Sequence, residues 1–347
     1  MIQKTASNVN GIISRRAPET VFPPFEYANL LDHADFGDWR DTLATDGYVV
    51  LPAVVPRETA LRSREAALSW LEAFPRGFKR DDPNTHKTEC LPVQHKGGMM
   101  SCNGVAHEQW VWDVRGHPAV VDAFAKVWGT DELVVSFDAI TVAHPNRTDI
   151  YDAGRWEHMD QSPCRRGFHC LQGLVNLNDC GKDDGGLMIL KGSPALMGEF
   201  FDMFGREETR TWGPQDFYSF TDDQHQWFYD RGCEWVKVCV EAGDLILWDS
   251  RAMHYSVSPT GKTDRAVIYV CMGPTKLLTE KNKEDRRYAF ENYLNTNHVP
   301  YGETFVNPRK PGIRSDTGLP DQDDDGIPQN PRAASDRILK LAGVKAY

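Results

Sequence analysis

The feature that most constrains this fold is a long run of short β-prone segments separated by turn signals. Residues 156–273 contain turn-forming groups at 183–186 (Asp-Asp-Gly-Gly), 192–194 (Gly-Ser-Pro), 242–244 (Ala-Gly-Asp) and 258–261 (Ser-Pro-Thr-Gly). Such groups at short intervals are typical of short strands joined by tight turns. The pattern therefore predicts a β-barrel or a β-sandwich for this part of the chain.

Helices and a long loop are predicted before the β-rich part. Valine and leucine cluster in residues 46–55, which favours a strand, and apolar residues at helical spacing predict a helix over 57–74. We expect a second helix over 118–127 and a strand over 133–142. Residues 80–109 are polar and rich in Gly and His, and a loop of that length is more often a functional lid than filler. The predicted fold class is mainly β with flanking helices.

The domain organisation is predicted from composition. Residues 1–25 are polar with several prolines and predict an arm that lies on the main body. Residues 26–290 are predicted to form the main domain, with an insertion at 196–230 that is rich in Phe, Trp and Asp and has no strand alternation. We expect 291–347 to be a C-terminal extension packed on the barrel, with a short helix over 332–341.

Charge and cysteine content exclude several classes of function. The 347 residues carry 39 Lys and Arg against 50 Asp and Glu, a net charge of −11, which repels nucleic-acid phosphates and anionic lipid. No stretch approaches the ~18 consecutive apolar residues that a membrane span requires. The eight cysteines are scattered without a CxxC pair, and the N-terminal residues lack the apolar core of a secretory signal, so we expect reduced thiols in a cytoplasmic protein. The expected partner is a small molecule, not nucleic acid or a membrane, and the oligomeric state stays open, with a homodimer as one option.

One group of residues has the pattern of a metal site. His158 and Asp160 form a His-x-Asp pair, and alternate side chains of a strand project to the same side. His254, at the end of the predicted strand GDLILWDSRAMH, is the third ligand we expect. Two histidines and one carboxylate leave open coordination positions, as in the facial triad of non-haem Fe(II) oxygenases. Asp249 and Arg251 either orient His254 or form a simple turn pair.

Two further residues extend this site. Ser256 lies two residues after His254, and Arg265 opens the next predicted strand, RAVIYVCM. A guanidinium can hold the distal carboxylate of a dicarboxylic co-substrate through two parallel hydrogen bonds, and a serine hydroxyl can add another donor. The order of these residues therefore favours an oxygenase that uses such a co-substrate.

The sequence resembles the phytanoyl-CoA dioxygenase-like family of Fe(II)/2-oxoglutarate-dependent oxygenases. The stretches that carry the resemblance are DGYVVLPAVV at 46–55, HMD at 158–160, GGLMILKGSP at 185–194, GDLILWDSRAMHYS at 243–256, and Arg265. Position, spacing and turn chemistry agree at all five places.

The resemblance implies a double-stranded β-helix, a jelly-roll barrel of the cupin type, with iron at its open end. Carried over to this sequence, His158, Asp160 and His254 would bind Fe(II) and be the catalytic residues. Arg265 and Ser256 would bind the tail of 2-oxoglutarate, and O₂ would complete the set of co-substrates.

The resemblance implies less about the residues around the expected iron site. Some family members carry an aromatic residue near the co-substrate where this sequence has Leu174. Gln161 and Gln172 are the residues that we expect to touch the substrate. Trp156 and Trp248 are expected in the core, because aromatic residues on alternating strands usually fill the space between sheets.

The implied reaction is oxidation of a C–H bond, with release of succinate and CO₂. Asp160 favours hydroxylation, desaturation or cyclisation over halogenation, because halogenating relatives place a small residue there. A secondary metabolite or an amino-acid-like molecule is the predicted substrate. The alternatives are an acyl-CoA hydroxylase, as the family name suggests, and a cupin-like metal-binding protein without 2-oxoglutarate turnover.

Overall fold

The structure is a computed structural model that describes residues 22, 24–150, 155–204, 215–301, 306 and 310–347. Nearly all of the predicted N-terminal arm, residues 1–25, lies outside these ranges. None of the described helices is long and apolar enough to cross a membrane.

Helices flank the sheets, and their ends follow local chemistry. Pro118 begins the fourth helix, where its missing N–H costs nothing, and Gly129 ends it with a φ of 71°. The helices in the described residues are Trp39–Asp46 (α1), Arg57–Glu72 (α2), Gln109–Arg115 (α3), Pro118–Trp128 (α4), Ser193–Phe204 (α5), Asp222–Tyr229 (α6), Glu280–Glu291 (α7) and Asp336–Leu341 (α8).

The strands are short, and most lie within the region where turn signals are dense. The strands in the described residues are Tyr48–Leu51 (β1), Met99–Met100 (β2), Leu133–Val135 (β3), Ile140–Ala143 (β4), His158–Met159 (β5), Leu171–Asn176 (β6), Gly186–Lys191 (β7), Tyr218–Ser219 (β8), Glu234–Lys237 (β9), Leu245–Asp249 (β10), His254–Val257 (β11), Arg265–Tyr269 (β12) and Met272–Pro274 (β13).

Two antiparallel sheets form the barrel. The order is β1-β10-β6-β12-β4-β2 in the six-stranded sheet and β8-β5-β11-β7-β9 in the five-stranded sheet, while β13 and β3 pair separately. A cluster of apolar side chains from both sheets fills the space between them. This is the jelly-roll architecture with flanking helices that the sequence predicts.

Strand β12 shows how alternation positions the site. Ala266 and Ile268 pack against the helices on the outer face of the six-stranded sheet. Val267 points to the opposite face, into the apolar cluster between the sheets. Arg265 and Tyr269, at even spacing from Val267, line a cavity on that inner face.

The insertion at 196–230 covers the outer face of the five-stranded sheet. Phe200 of α5 and Phe228 of α6 are fully buried in a cluster with Met159, Leu190 and Met253. Contrary to the sequence expectation, the insertion also contains a strand, β8, which pairs with β5. Its residues 205–214 lie outside the described part.

Three expectations about element boundaries are wrong. The predicted strand over 133–142 is two strands in different sheets, separated by residues 136–139, which belong to no strand. The C-terminal helix is limited to Asp336–Leu341, since the Ser335 side chain caps it by accepting from the backbone N–H of Ile338. His254 does not end β10 but begins the next strand, β11.

Arg286 joins the C-terminal part of the chain to the barrel. This fully buried guanidinium donates to the backbone carbonyls of Ala342 (3.0 Å), Pro300 (3.1 Å) and Val135 (2.6 Å). Hydrogen bonds from a buried charged donor are among the stronger ones in a protein.

We predict that Arg286→Leu lowers the free energy of unfolding by about 3 kcal/mol, because several buried carbonyls lose their donor. Urea denaturation of the purified variants measures this. The matched control is Arg287→Leu, since Arg287 is exposed and makes one bond, to the Val344 carbonyl. Equal stability of the two variants would contradict the role given to Arg286.

Candidate metal centre

Strand pairing brings the two predicted histidine ligands together. His158 in β5 lies directly opposite His254 in β11, and directly opposed residues of an antiparallel pair project to the same face. Their ring centroids are 4.4 Å apart. Asp160 follows β5 and places its carboxylate 3.4 Å from His158 Nε2 and 3.5 Å from His254 Nε2. One ligand atom from each residue lies within 4.8 Å of the others.

The two imidazoles are oriented by the backbone. His158 Nδ1 is 3.1 Å from the carbonyl oxygen of Trp156, and His254 Nδ1 is 2.9 Å from that of Ala252. A carbonyl only accepts, so each Nδ1 carries the proton. Each Nε2 then presents its lone pair towards Asp160, which is the tautomer that binds a metal.

The carboxylate of Asp160 is held by Gln172. The Gln172 side-chain Nε2 donates to Asp160 Oδ2 at 2.9 Å. Although burial opposes ionisation, His158 and His254 hold the pKa of Asp160 well below its usual range. Burial, with His254 alongside, lowers the pKa of His158 to about 4. Near neutral pH His158 is therefore a neutral imidazole and Asp160 a carboxylate, the protonation states that metal binding requires of them.

The donor set fits Fe(II). Two imidazole nitrogens and one carboxylate oxygen on one face leave the remaining positions of an octahedron open to small ligands. Sulfur ligands are absent from this group of three residues. The set suits nickel, copper or zinc as well, so the residues alone do not select the metal.

A cavity of about 360 Å³ lies beside the three residues, between the two sheets. Arg265 and Ser256 both line it. Arg265 is 3% exposed, and its Nε has no hydrogen-bond partner within the described ranges. Gly97 lies against this end, because a Cβ at that position would be 2.8 Å from Ser256 Oγ. The 80–109 loop therefore covers the Arg265 side of the cavity, where Met99 also lines the wall.

The two glutamines predicted to touch substrate have different positions. Gln172 lines the cavity but is bonded to Asp160. Gln161 does not line the cavity. It accepts from Ser250 Oγ (3.0 Å) and donates to the Gly167 carbonyl (3.0 Å). This placement does not fit a substrate contact for Gln161.

Of the other neighbours, Trp156 differs from expectation, while Trp248 and the Asp249–Arg251 pair agree with it. Trp156, expected in the core, is half-buried at the cavity and stacks on His158 with centroids 4.3 Å apart. Trp248 belongs to the apolar cluster between the sheets and also lines the cavity. Asp249 and Arg251 pair with each other, so the turn-pair interpretation holds for them.

Sequence reasoning missed Asp138 and His298, which both line the cavity. Asp138 lies in the short segment between β3 and β4. A carboxylate inside the apolar run around 133–142 is a signal that could have indicated the break. His298 comes from the segment after α7, and no spacing in the sequence connects it with His158, Asp160 or His254.

Comparisons with known proteins give a family and a fold. The family model described as phytanoyl-CoA dioxygenase matches residues 43–267. "Ava biosynthesis cluster protein O" from Aspergillus versicolor is 40% identical over 269 residues, which cover 77% of this chain and 87% of that protein.

Two solved structures share the fold at low identity. A structure from Salmonella typhimurium LT2 has a TM-score of 0.59 at 15% identity, and the match covers 91% of this chain and 85% of that protein. A hypothetical protein from Escherichia coli has a TM-score of 0.59 at 14% identity, and the match covers 92% of this chain and 84% of that protein.

We predict that Gln172→Leu weakens Fe(II) binding by about ten- to a hundred-fold, because Asp160 loses the bond that orients it. Anaerobic titration with Fe(II) measures the dissociation constant. Gln161→Leu is the matched control, since the side chain of this buried glutamine bonds to Ser250 and Gly167 and not to a ligand side chain. This variant should bind Fe(II) as the unaltered protein does. Unchanged affinity in Gln172→Leu would contradict the role of this hydrogen bond.

Proposed function

The chain belongs to the phytanoyl-CoA dioxygenase family of Fe(II)- and 2-oxoglutarate-dependent oxygenases, and from this premise we propose that His158, Asp160 and His254 bind the iron. We further propose that Arg265 and Ser256 bind 2-oxoglutarate. The substrate in this proposal is a small organic molecule, of which one C–H bond is oxidised.

The observation that carries the ligand assignment is the convergence of the three residues. Both imidazoles have their Nδ1 atoms on backbone carbonyls, and both Nε2 atoms lie within 3.5 Å of the Asp160 carboxylate. Burying two imidazoles and a carboxylate together costs free energy, because polar groups removed from water need bonding partners. A bound metal would supply that partner. Metal binding accounts for all three orientations.

Arg265 and Ser256 are suited to the tail of a keto-diacid. Arg265 is buried, so its attraction for a carboxylate is little weakened by water. Ser256 is two residues from His254 on the same strand and therefore faces the same side. When bound, iron and 2-oxoglutarate supply the oxidising chemistry with O₂, and succinate and CO₂ are released.

The cavity supports a substrate that is largely apolar. Aromatic and aliphatic side chains make up about half of its lining residues, and five of the polar ones, His158, Asp160, His254, Arg265 and Ser256, are assigned to the iron and the co-substrate. The relative from Aspergillus versicolor carries the name of a biosynthesis cluster, which supports a secondary metabolite as the substrate class. Hydroxylation, desaturation and cyclisation are all compatible with Asp160 as an iron ligand.

The described residues do not favour the acyl-CoA alternative. A larger cleft of about 870 Å³ outside this cavity is lined by basic and acidic residues together. Arg64 is paired there with Asp264, and Arg147 with Asp149. Cations that are already neutralised attract the phosphates of coenzyme A poorly.

Spectroscopy tests the assignment of the ligands. Adding Fe(II) and 2-oxoglutarate without O₂ is expected to give a weak visible charge-transfer band. His158→Ala and Asp160→Ala should abolish it, because each removes one of three protein ligands. The control His33→Ala removes an exposed histidine and should keep the band. Persistence of the band in both ligand variants would refute the assignment.

The same samples distinguish an oxygenase from a cupin-like binding protein. After O₂ is admitted, an oxygenase converts 2-oxoglutarate to succinate, and the two ligand variants do not. A binding protein retains Fe(II) but forms no succinate above the level of the variants. That second result would overturn the proposed function while leaving the metal site intact.

A further inference from the structure

Asp138 is a carboxylate in the cavity without a cationic partner. It lies in the segment between β3 and β4 and lines the same cavity as the three proposed ligands. Its Oδ1 accepts from the backbone N–H of Ala139 at 2.7 Å. Among the described residues, no Lys, Arg or His side chain lies within ion-pair distance of it.

Arg115 attracts this carboxylate through space but makes no ion pair with it. Arg115 is fully buried, but it donates to backbone carbonyls, those of Tyr269 (3.0 Å), Ala106 (2.9 Å) and Asp138 itself. Its donors are therefore turned to the main chain. Arg265, the arginine that lines the cavity, is assigned above to the co-substrate.

A carboxylate in such a place is costly unless something pairs with it. Burial raises the pKa of Asp138, and nearby His298 opposes that shift. Buried charges in proteins are nearly always paired, and an unpaired acid in a cleft is typical of a functional site. A bound ligand is the remaining source of a partner for Asp138.

The rest of the cavity suits a cation too. Trp156, Phe217, Tyr255 and Tyr269 line it, and the faces of aromatic rings attract positive charge. His298 adds a ring nitrogen, Nε2, that is buried and has no hydrogen-bond partner within the described ranges. An ammonium group has several N–H donors, so it can bond to Asp138 and also contact these neighbours.

We propose that the substrate carries a positively charged nitrogen, which Asp138 binds by an ion pair while the aromatic walls hold the attached apolar body. The inference rests on the proposed function in one respect, that this cavity is the substrate site. It narrows the substrate class to basic amines and related cations.

Paired probes test this proposal on the protein loaded with Fe(II) and 2-oxoglutarate under anaerobic conditions. The probes are phenethylamine and tryptamine, each with its neutral alcohol counterpart, 2-phenylethanol and tryptophol. Isothermal titration calorimetry measures the affinities at neutral pH. We expect each amine to bind at least about ten-fold more tightly than its alcohol. In Asp138→Asn, which keeps the size but removes the charge, the preference should fall to nearly one.

The control Glu132→Gln removes one negative charge from an exposed residue outside the cavity and should retain the amine preference. Equal binding of amines and alcohols by the unaltered protein would overturn the proposal, as would no binding of any probe. A preference that persists in Asp138→Asn would also overturn it, since the amine would then be bound elsewhere. The charge-transfer band recorded before each titration shows independently whether the proposed iron and 2-oxoglutarate site has failed.

Discussion

The site depends on one cross-strand pair, His158 opposite His254. A shift of one residue in that register would turn His158 to the other face of the sheet and separate the two imidazoles. Strand β5 has only two residues, so its own ladder is weak. It is placed by β11 on one side and by β8 on the other, where Ser219 pairs with His158. The insertion at 196–230 thus supports the metal centre directly, in addition to covering the sheet.

Around that pair, hydrogen bonds fix each donor before a metal arrives. The Trp156 and Ala252 carbonyls set the imidazole tautomers, and Gln172 fixes the carboxylate. Groups held in this way lose little conformational freedom on binding, so more of the metal–ligand energy is available as affinity. Arg286 stabilises a more distant part of the cavity wall, because its hydrogen bond to the Pro300 carbonyl holds the segment that carries His298.

Local sequence patterns predicted the residues of the site that are close together in the chain. The other residues reach the site only through the tertiary fold, which those patterns do not show. The spacing of His158 and Asp160 places both on one face, whatever surrounds them. His254 is far from this pair in the sequence, and linking it to them required the order in which the motifs occur in a known family. Asp138 was missed because a single strand over 133–142 would have buried it in a sheet. Trp156 was expected in the core, since the sequence does not show that it precedes β5 and lies beside an open cavity.

Anomalous diffraction at the iron edge, from crystals grown anaerobically with Fe(II) and 2-oxoglutarate, tests the central claim most directly. The account predicts one strong peak between the Nε2 atoms of both histidines and the carboxylate at 160, with the far end of the keto-diacid on the guanidinium at 265. A peak at other residues, or a co-substrate turned away from that guanidinium, would contradict it.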